Sequence, residues 1–135
     1  QKIKIVFPMH PRTLKNITKF RLGKKLKNQK NIIITEPLGY LDFLALMSNS
    51  RFILTDSGGI QEETTVLGIL CITMRNNTER PITVEQGTNV LVSTDRYKII
   101  GASNKLLKGT HFKAKIPQFW DGKAAKRIVD VILRI

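Results

Sequence analysis

The chain has 135 residues, of which 41% are hydrophobic and 24% charged, which is enough for one domain of ordinary size with its own core. No apolar run approaches the roughly 20 residues of a membrane-spanning helix, and the single cysteine, Cys71, cannot form an internal disulfide. The formal net charge is +13, and ten of the 23 Lys and Arg residues precede residue 31.

Lys2–Phe7 reads as a buried strand through Ile3, Ile5 and Val6. The opening residues lack the pattern of a signal peptide. A chain that starts on Gln1 and enters a strand at once is expected to be part of something longer. Pro11–Lys27 carries a helical stripe at Leu14, Ile17, Phe20, Leu22 and Leu26, ending at Gly23 or at Asn28-Gln29. Asn31–Thr35 is a β-branched run and predicts a strand. Gly39–Asn49 predicts a helix with Leu41, Leu44, Ala45 and Met47 inward, and Arg51–Thr55 a third strand. Gly59–Leu67 predicts a helix stopped by Gly68, and Ile69–Thr73 a fourth strand containing Cys71 as a small buried hydrophobe. After a polar loop over Arg75–Pro81, Asn89–Val92 predicts a fifth strand, and Asp95–Leu107 and Gly122–Ile135 predict closing helices. Lys108–Trp120, with Pro117, Phe119 and Trp120, reads as a packed loop.

Strand and helix alternate across short connections, and the strands are continuous apolar runs. Both features predict an α/β fold, a Rossmann-like parallel sheet with helices on both faces. Ligands of such sheets sit beyond the carboxyl ends of the strands, so the residues just after each strand are the candidates.

In Asp56-Ser57-Gly58-Gly59 a strand runs into a helix whose first N–H groups have no internal partner and face the positive end of the helix dipole. A phosphate fits there; the glycines remove blocking side chains and permit unusual backbone angles, and Ser57 adds a hydroxyl. Glu62 and Glu63, one turn later, offer a carboxylate to a vicinal diol such as a ribose. On spacing alone a plain capped turn explains the same residues equally well. His10, between Pro8 and Pro11, is a phosphate donor, an acid/base group or a polar loop residue. Arg75 and Arg80 share a loop and can clamp a diphosphate or simply be solvated. The other histidine is His111, and no cluster stands at metal-ligand spacing. The charge bias fits nucleic acid, an anionic membrane surface or a phosphorylated ligand, but a lysine-rich solvated surface, or charge balanced by a missing domain, accounts for it better; the basic N-terminal segment lacks interleaved aromatic rings, so no nucleic-acid partner is expected.

Taken together, Phe-Pro-Met-His-Pro-Arg-Thr (7–13), Glu-Pro-Leu-Gly-Tyr-Leu-Asp-Phe (36–43), Leu-Thr-Asp-Ser-Gly-Gly-Ile-Gln-Glu-Glu (54–63), Met-Arg-Asn-Asn-Thr-Glu-Arg-Pro (74–81) and Glu-Gln-Gly-Thr-Asn-Val-Leu-Val (85–92) form a recognisable series. The chain resembles the C-terminal domain of the non-hydrolysing UDP-N-acetylglucosamine 2-epimerases. The resemblance implies that residues 1–135 are a C-terminal UDP-binding Rossmann-like domain, one half of a GT-B two-domain architecture, with the N-terminal domain absent from this chain. It implies interconversion of UDP-N-acetylglucosamine and UDP-N-acetylmannosamine by elimination and re-addition of UDP, with no metal or nicotinamide cofactor, in a cytoplasmic and often homodimeric enzyme serving polysaccharide synthesis. Ser57, Gly58 and Gly59 would hold the diphosphate, Glu63 the ribose and Arg80 the nucleotide. Phe43 would stack on uracil, the main chain at Leu38 would read its edge, and His10 would lie near the phosphates. The acid/base residues of the family would lie outside this chain, which alone would be inactive or nearly so. The alternative is the nucleotide-sugar-binding half of a GT-B glycosyltransferase, against which the Thr-Glu-Arg-Pro block counts.

Overall fold

The computed structural model describes residues 3–109 and 115–134. His111, the start of the first predicted strand, the middle of the predicted 108–120 loop and the last residue of the predicted C-terminal helix lie outside the described residues. The chain forms two compact units, Gln1–Ala45 and Leu46–Ile135.

In the first unit, β1 (Ile5–Pro8) pairs in parallel with β2 (Ile32–Thr35), Ile5 opposite Ile32 and Pro8 opposite Thr35. Between them run α1 (Pro11–Lys19) and α2 (Gly23–Lys27). Pro11 suits the first turn of α1, where its fixed φ is already helical and its missing N–H costs nothing. The predicted single helix over 11–27 is therefore two. The Phe20 N–H closes α1 on the Asn16 carbonyl, Arg21 takes a left-handed φ of 55°, and Gly23 opens α2 instead of ending a helix.

The strands of this unit are less covered than their composition predicts. Ile5, Val6, Ile33 and Ile34 are all exposed, because a 45-residue unit with two strands and short helices has little surface with which to bury two sheet faces. α3 (Tyr40–Ser48) follows β2, and the boundary between the units falls within it. Of its four predicted inward residues, Met47 is fully buried and Leu44 half-buried, whereas Leu41 is 76% exposed and Ala45 is exposed. The period explains the split: positions 44 and 47 share one helical face, and 41 and 45 share another.

The second unit is a three-stranded parallel sheet in the order β3-β4-β5. β3 (Ile53–Thr55), β4 (Cys71–Thr73) and β5 (Asn89–Leu91) are joined by α4 (Gly58–Leu67) and α5 (Pro81–Glu85). α4 ends where Gly68 adopts a left-handed φ of 69°, a conformation glycine enters without a Cβ penalty. α6 (Arg96–Leu107) starts at Asp95, whose carboxylate accepts from the N–H groups of Tyr97 and Lys98. α7 (Ala124–Ile132) closes the chain. The core is Ile72, Val92 and Leu106. Every residue of β4 is buried, as the central strand requires, and burial pushes the Cys71 thiol up from its ordinary value. No described helix is long and apolar enough to cross a membrane.

Candidate functional site

The turn after β3 is built by a threonine. The buried Thr55 hydroxyl accepts the Ser57 N–H at 3.0 Å, which holds Ser57 in an extended conformation (φ −81°, ψ 133°) at the N-cap of α4. An N-cap serine ordinarily bonds back to the first turn, but the Ser57 side chain makes no such bond. Gly58 and Gly59 are the first two helical residues, and a Cβ at either would meet nothing within 4 Å. Neither has a positive φ, so the expectation of unusual backbone angles is corrected. What the glycines contribute is bare, accessible backbone. The result is an uncapped helix N-terminus, with the positive end of the dipole open to an anion.

Glu62 and Glu63 follow in the second turn, both half-buried. Glu62 Oε1 receives Arg80 Nε at 2.8 Å. With both side chains about two-fifths exposed, the pair adds ~1 kcal/mol at most, so it orients Arg80 more than it stabilises the fold. Arg80 Nη1 also donates to the Glu79 carbonyl at 3.3 Å. The second arginine of the predicted clamp, Arg75, is paired at 3.6 Å with Glu79 within its own loop. The structure thus ties Arg80, and not Arg75, to the helix that carries Ser57–Gly59. Glu63 makes no ion pair among the described residues.

Beneath these groups lies a buried polar network that sequence reasoning missed. The Gln61 side chain, fully buried, accepts at Oε1 from the Thr78 hydroxyl at 2.6 Å and from Asn89 Nδ2 at 3.0 Å. Its Nε2 donates to the Ser57 carbonyl at 3.2 Å. Asn89 Oδ1 accepts from Thr73 at 2.6 Å, and Asn89 Nδ2 also reaches Thr83 Oγ1 at 3.2 Å. The signal was present in the sequence. Gln61, Thr64 and Thr65 stand at helical spacing and are all buried, a polar stripe where an apolar one is ordinary.

In the first unit, His10 is the N-cap of α1. Its Nδ1 accepts the Arg12 N–H at 3.2 Å, so in the neutral ring the proton sits on Nε2, on an exposed residue. Leu38 lies exposed in the loop after β2. Phe43 is half-buried in α3, and its N–H bonds the Gly39 carbonyl at 2.9 Å.

The chain is similar to several UDP-N-acetylglucosamine 2-epimerases. The UDP-N-acetylglucosamine 2-epimerase of Methanocaldococcus jannaschii is 49% identical over 129 residues, which are 95% of this chain and 34% of that protein. The enzyme of that name from Escherichia coli K12 is 39% identical over 137 residues, 98% of this chain and 35% of that protein. The crystal structure of the Methanocaldococcus jannaschii UDP-GlcNAc 2-epimerase in complex with UDP-GlcNAc and UDP matches with a TM-score of 0.85 at 48% identity, covering 98% of this chain and 36% of that one. The chain therefore spans about a third of the length of the curated relatives it matches. The family model for UDP-N-acetylglucosamine 2-epimerase matches residues 1–133, and the chain belongs to that family, with its Rossmann-like α/β fold.

Proposed function

We propose that this chain is the UDP-binding, C-terminal third of an enzyme that interconverts UDP-N-acetylglucosamine and UDP-N-acetylmannosamine by eliminating and re-adding UDP. The observation that carries the reading is the open N-terminus of α4, with its unengaged Ser57 side chain and two glycines facing free space, beside an arginine moored to the same helix. Elimination leaves negative charge on the departing diphosphate. Donors already in place lower that barrier because nothing has to reorganise during the reaction. The N–H groups at Gly58 and Gly59 with the Ser57 hydroxyl take the diphosphate, Arg80 supplies the positive charge, and Glu63, which makes no ion pair among the described residues, takes the ribose diol. Phe43 stacks on uracil, the main chain at Leu38 reads its edge, and His10 offers its Nε2–H to a phosphate; each of these is tested by its own substitution. Glu62 is engaged by Arg80 and is given no part in the proton chemistry, and the groups that handle the C2 proton are assigned to an N-terminal domain, as the family resemblance implies. The enzyme is cytoplasmic and supplies polysaccharide synthesis, and a lone, buried, unpaired Cys71 goes with that compartment.

The test is to incubate the full-length protein with UDP-N-acetylglucosamine in heavy water. Deuterium is expected at C2 of both epimers. Sugar passing to an acceptor with no exchange at C2 would replace this reading with glycosyl transfer.

A further inference from the structure

We infer that Thr78 is a positioning residue for Arg80, and that the buried Gln61–Asn89 pair sets where Thr78 stands. The inference rests on the proposal above that Arg80 acts on the nucleotide. Hydrogen-bond directions in the network carry it. The Thr78 hydroxyl oxygen accepts the Arg80 backbone N–H at 2.9 Å, so its own proton is free to go to Gln61 Oε1 at 2.6 Å. That oxygen cannot be exchanged with the amide nitrogen. Asn89 Nδ2 is also a donor to it, and Gln61 Nε2 is needed at the Ser57 carbonyl. On the other side of Arg80, its carbonyl accepts from the Thr83 hydroxyl at 2.7 Å, and Thr83 in turn accepts from Asn89 Nδ2 at 3.2 Å.

Arg80 is therefore held at its N–H through Thr78, at its C=O through Thr83, and at its side chain by Glu62 at Nε and by the Glu79 carbonyl at Nη1. The two threonine hydroxyls that bond the Arg80 backbone both lead back to the Gln61–Asn89 pair, beside the Thr83 N–H that bonds the same carbonyl at 3.0 Å. Gln61 also fixes the Ser57 carbonyl, so one buried amide sets the N-terminus of α4 and the Arg80 loop in a common register. Arg80 itself is exposed in a loop, and without such restraint its long side chain would lose rotamer freedom each time it met a ligand. Among the described residues this is the one cluster that joins the anion-binding turn to the arginine through buried groups.

A double-mutant cycle in the full-length protein tests the inference, with UDP and uridine as probes. Thr78→Val removes the hydroxyl at nearly constant shape. It is expected to weaken UDP about fivefold, within the range of measured coupling energies between neighbouring residues, and to leave uridine unchanged. Thr78→Ser keeps the hydroxyl and should bind UDP within about twofold of the parent protein. In an Arg80→Met background, Thr78→Val should cost less than about twofold more, because the group through which it acts is gone. Thr78→Ala serves in the same cycle if valine does not fold. Four results would each overturn the inference: equal loss in both backgrounds, UDP affinity indifferent to Thr78→Val, UDP affinity indifferent to Arg80→Met, or Thr78→Ser as impaired as Thr78→Val. A parent protein that binds no UDP is a different outcome. It removes the nucleotide reading itself, and the inference with it.

Discussion

A Cβ placed on Gly87 would stand 2.5 Å from Thr65 Oγ1 and 2.6 Å from the Thr83 carbonyl, whereas one placed on Gly58 or Gly59 would meet nothing within 4 Å. All three glycines belong to sequence blocks that mark the family, and sequence alone does not rank them. The structure separates them by what crowds them. Gly87 lets the end of α5 approach α4, so it is a packing residue. Gly58 and Gly59 serve no packing need, and their lack of side chains leaves the start of α4 open. An empty neighbourhood singles out a glycine only together with its place, here the uncapped start of a helix just after a strand.

Three substitutions and one chemical probe can break or sharpen this contrast. Gly87→Ala has the largest expected effect. Thr65 Oγ1 is bonded to the Gln61 carbonyl at 2.9 Å in a buried position, and the Thr83 oxygen is backbone, so neither gives way easily. A loss of ~3 kcal/mol in urea unfolding is expected, at the upper end of ordinary overpacking costs, with UDP affinity of the folded protein unchanged. A loss under ~1 kcal/mol would mean that the α4–α5 approach is slack. Gly59→Ala reverses the pattern. Stability should hold or rise by up to ~1 kcal/mol, since the position is helical and uncrowded, while UDP should weaken roughly tenfold, equivalent to ~1.4 kcal/mol. Retained affinity would show that the open turn is not a cradle. Glu62→Gln removes a partly exposed ion pair and should change stability by less than ~1 kcal/mol, a cost that shrinks as added salt screens the pair. A cost above ~2 kcal/mol would recast Arg80 as a structural strut. The smallest effect is at Cys71. Burial raises its pKa, so the unfolded thiol ionises first. Stability is then unaffected below the unfolded thiol's pKa of about 8.5 and falls as pH climbs above it. A thiol reagent should leave folded Cys71 untouched at pH 7, and rapid labelling without unfolding would contradict its burial.

Much of the second unit was legible in the sequence. The largely apolar run ending at Thr55, the two glycines after Ser57 and the stop at Gly68 each report a local constraint, namely strand propensity, an open helix start and a left-handed cap. All three appear where the pattern puts them. α5 was not legible because a five-residue helix is too short for periodicity, and Pro81 at its start was the only local mark. The break at Arg21 was hidden because a left-handed arginine has no sequence signature. The exposure of β1 and β2 could not be read either. An apolar run predicts what a strand wants, whereas burial depends on how much surface its unit can offer. At the candidate site, charge and glycine drew attention to Ser57–Gly59, Glu63 and Arg80. Of the uncharged groups that hold Arg80 in place, Gln61 stands in a polar stripe at helical spacing that the sequence displays, whereas Thr78 and Asn89 declare themselves only when three distant segments meet.

The central claim is that the N-terminus of α4 receives the diphosphate of UDP. Its most direct test follows the backbone amide resonances of Gly58, Gly59 and Ile60 while UDP, and separately uridine, is titrated into the protein. The account predicts that UDP moves these three amides in a saturable way and that uridine, lacking the diphosphate, leaves them where they are. Saturable UDP binding with the three amides unmoved, or uridine moving them equally, would contradict it.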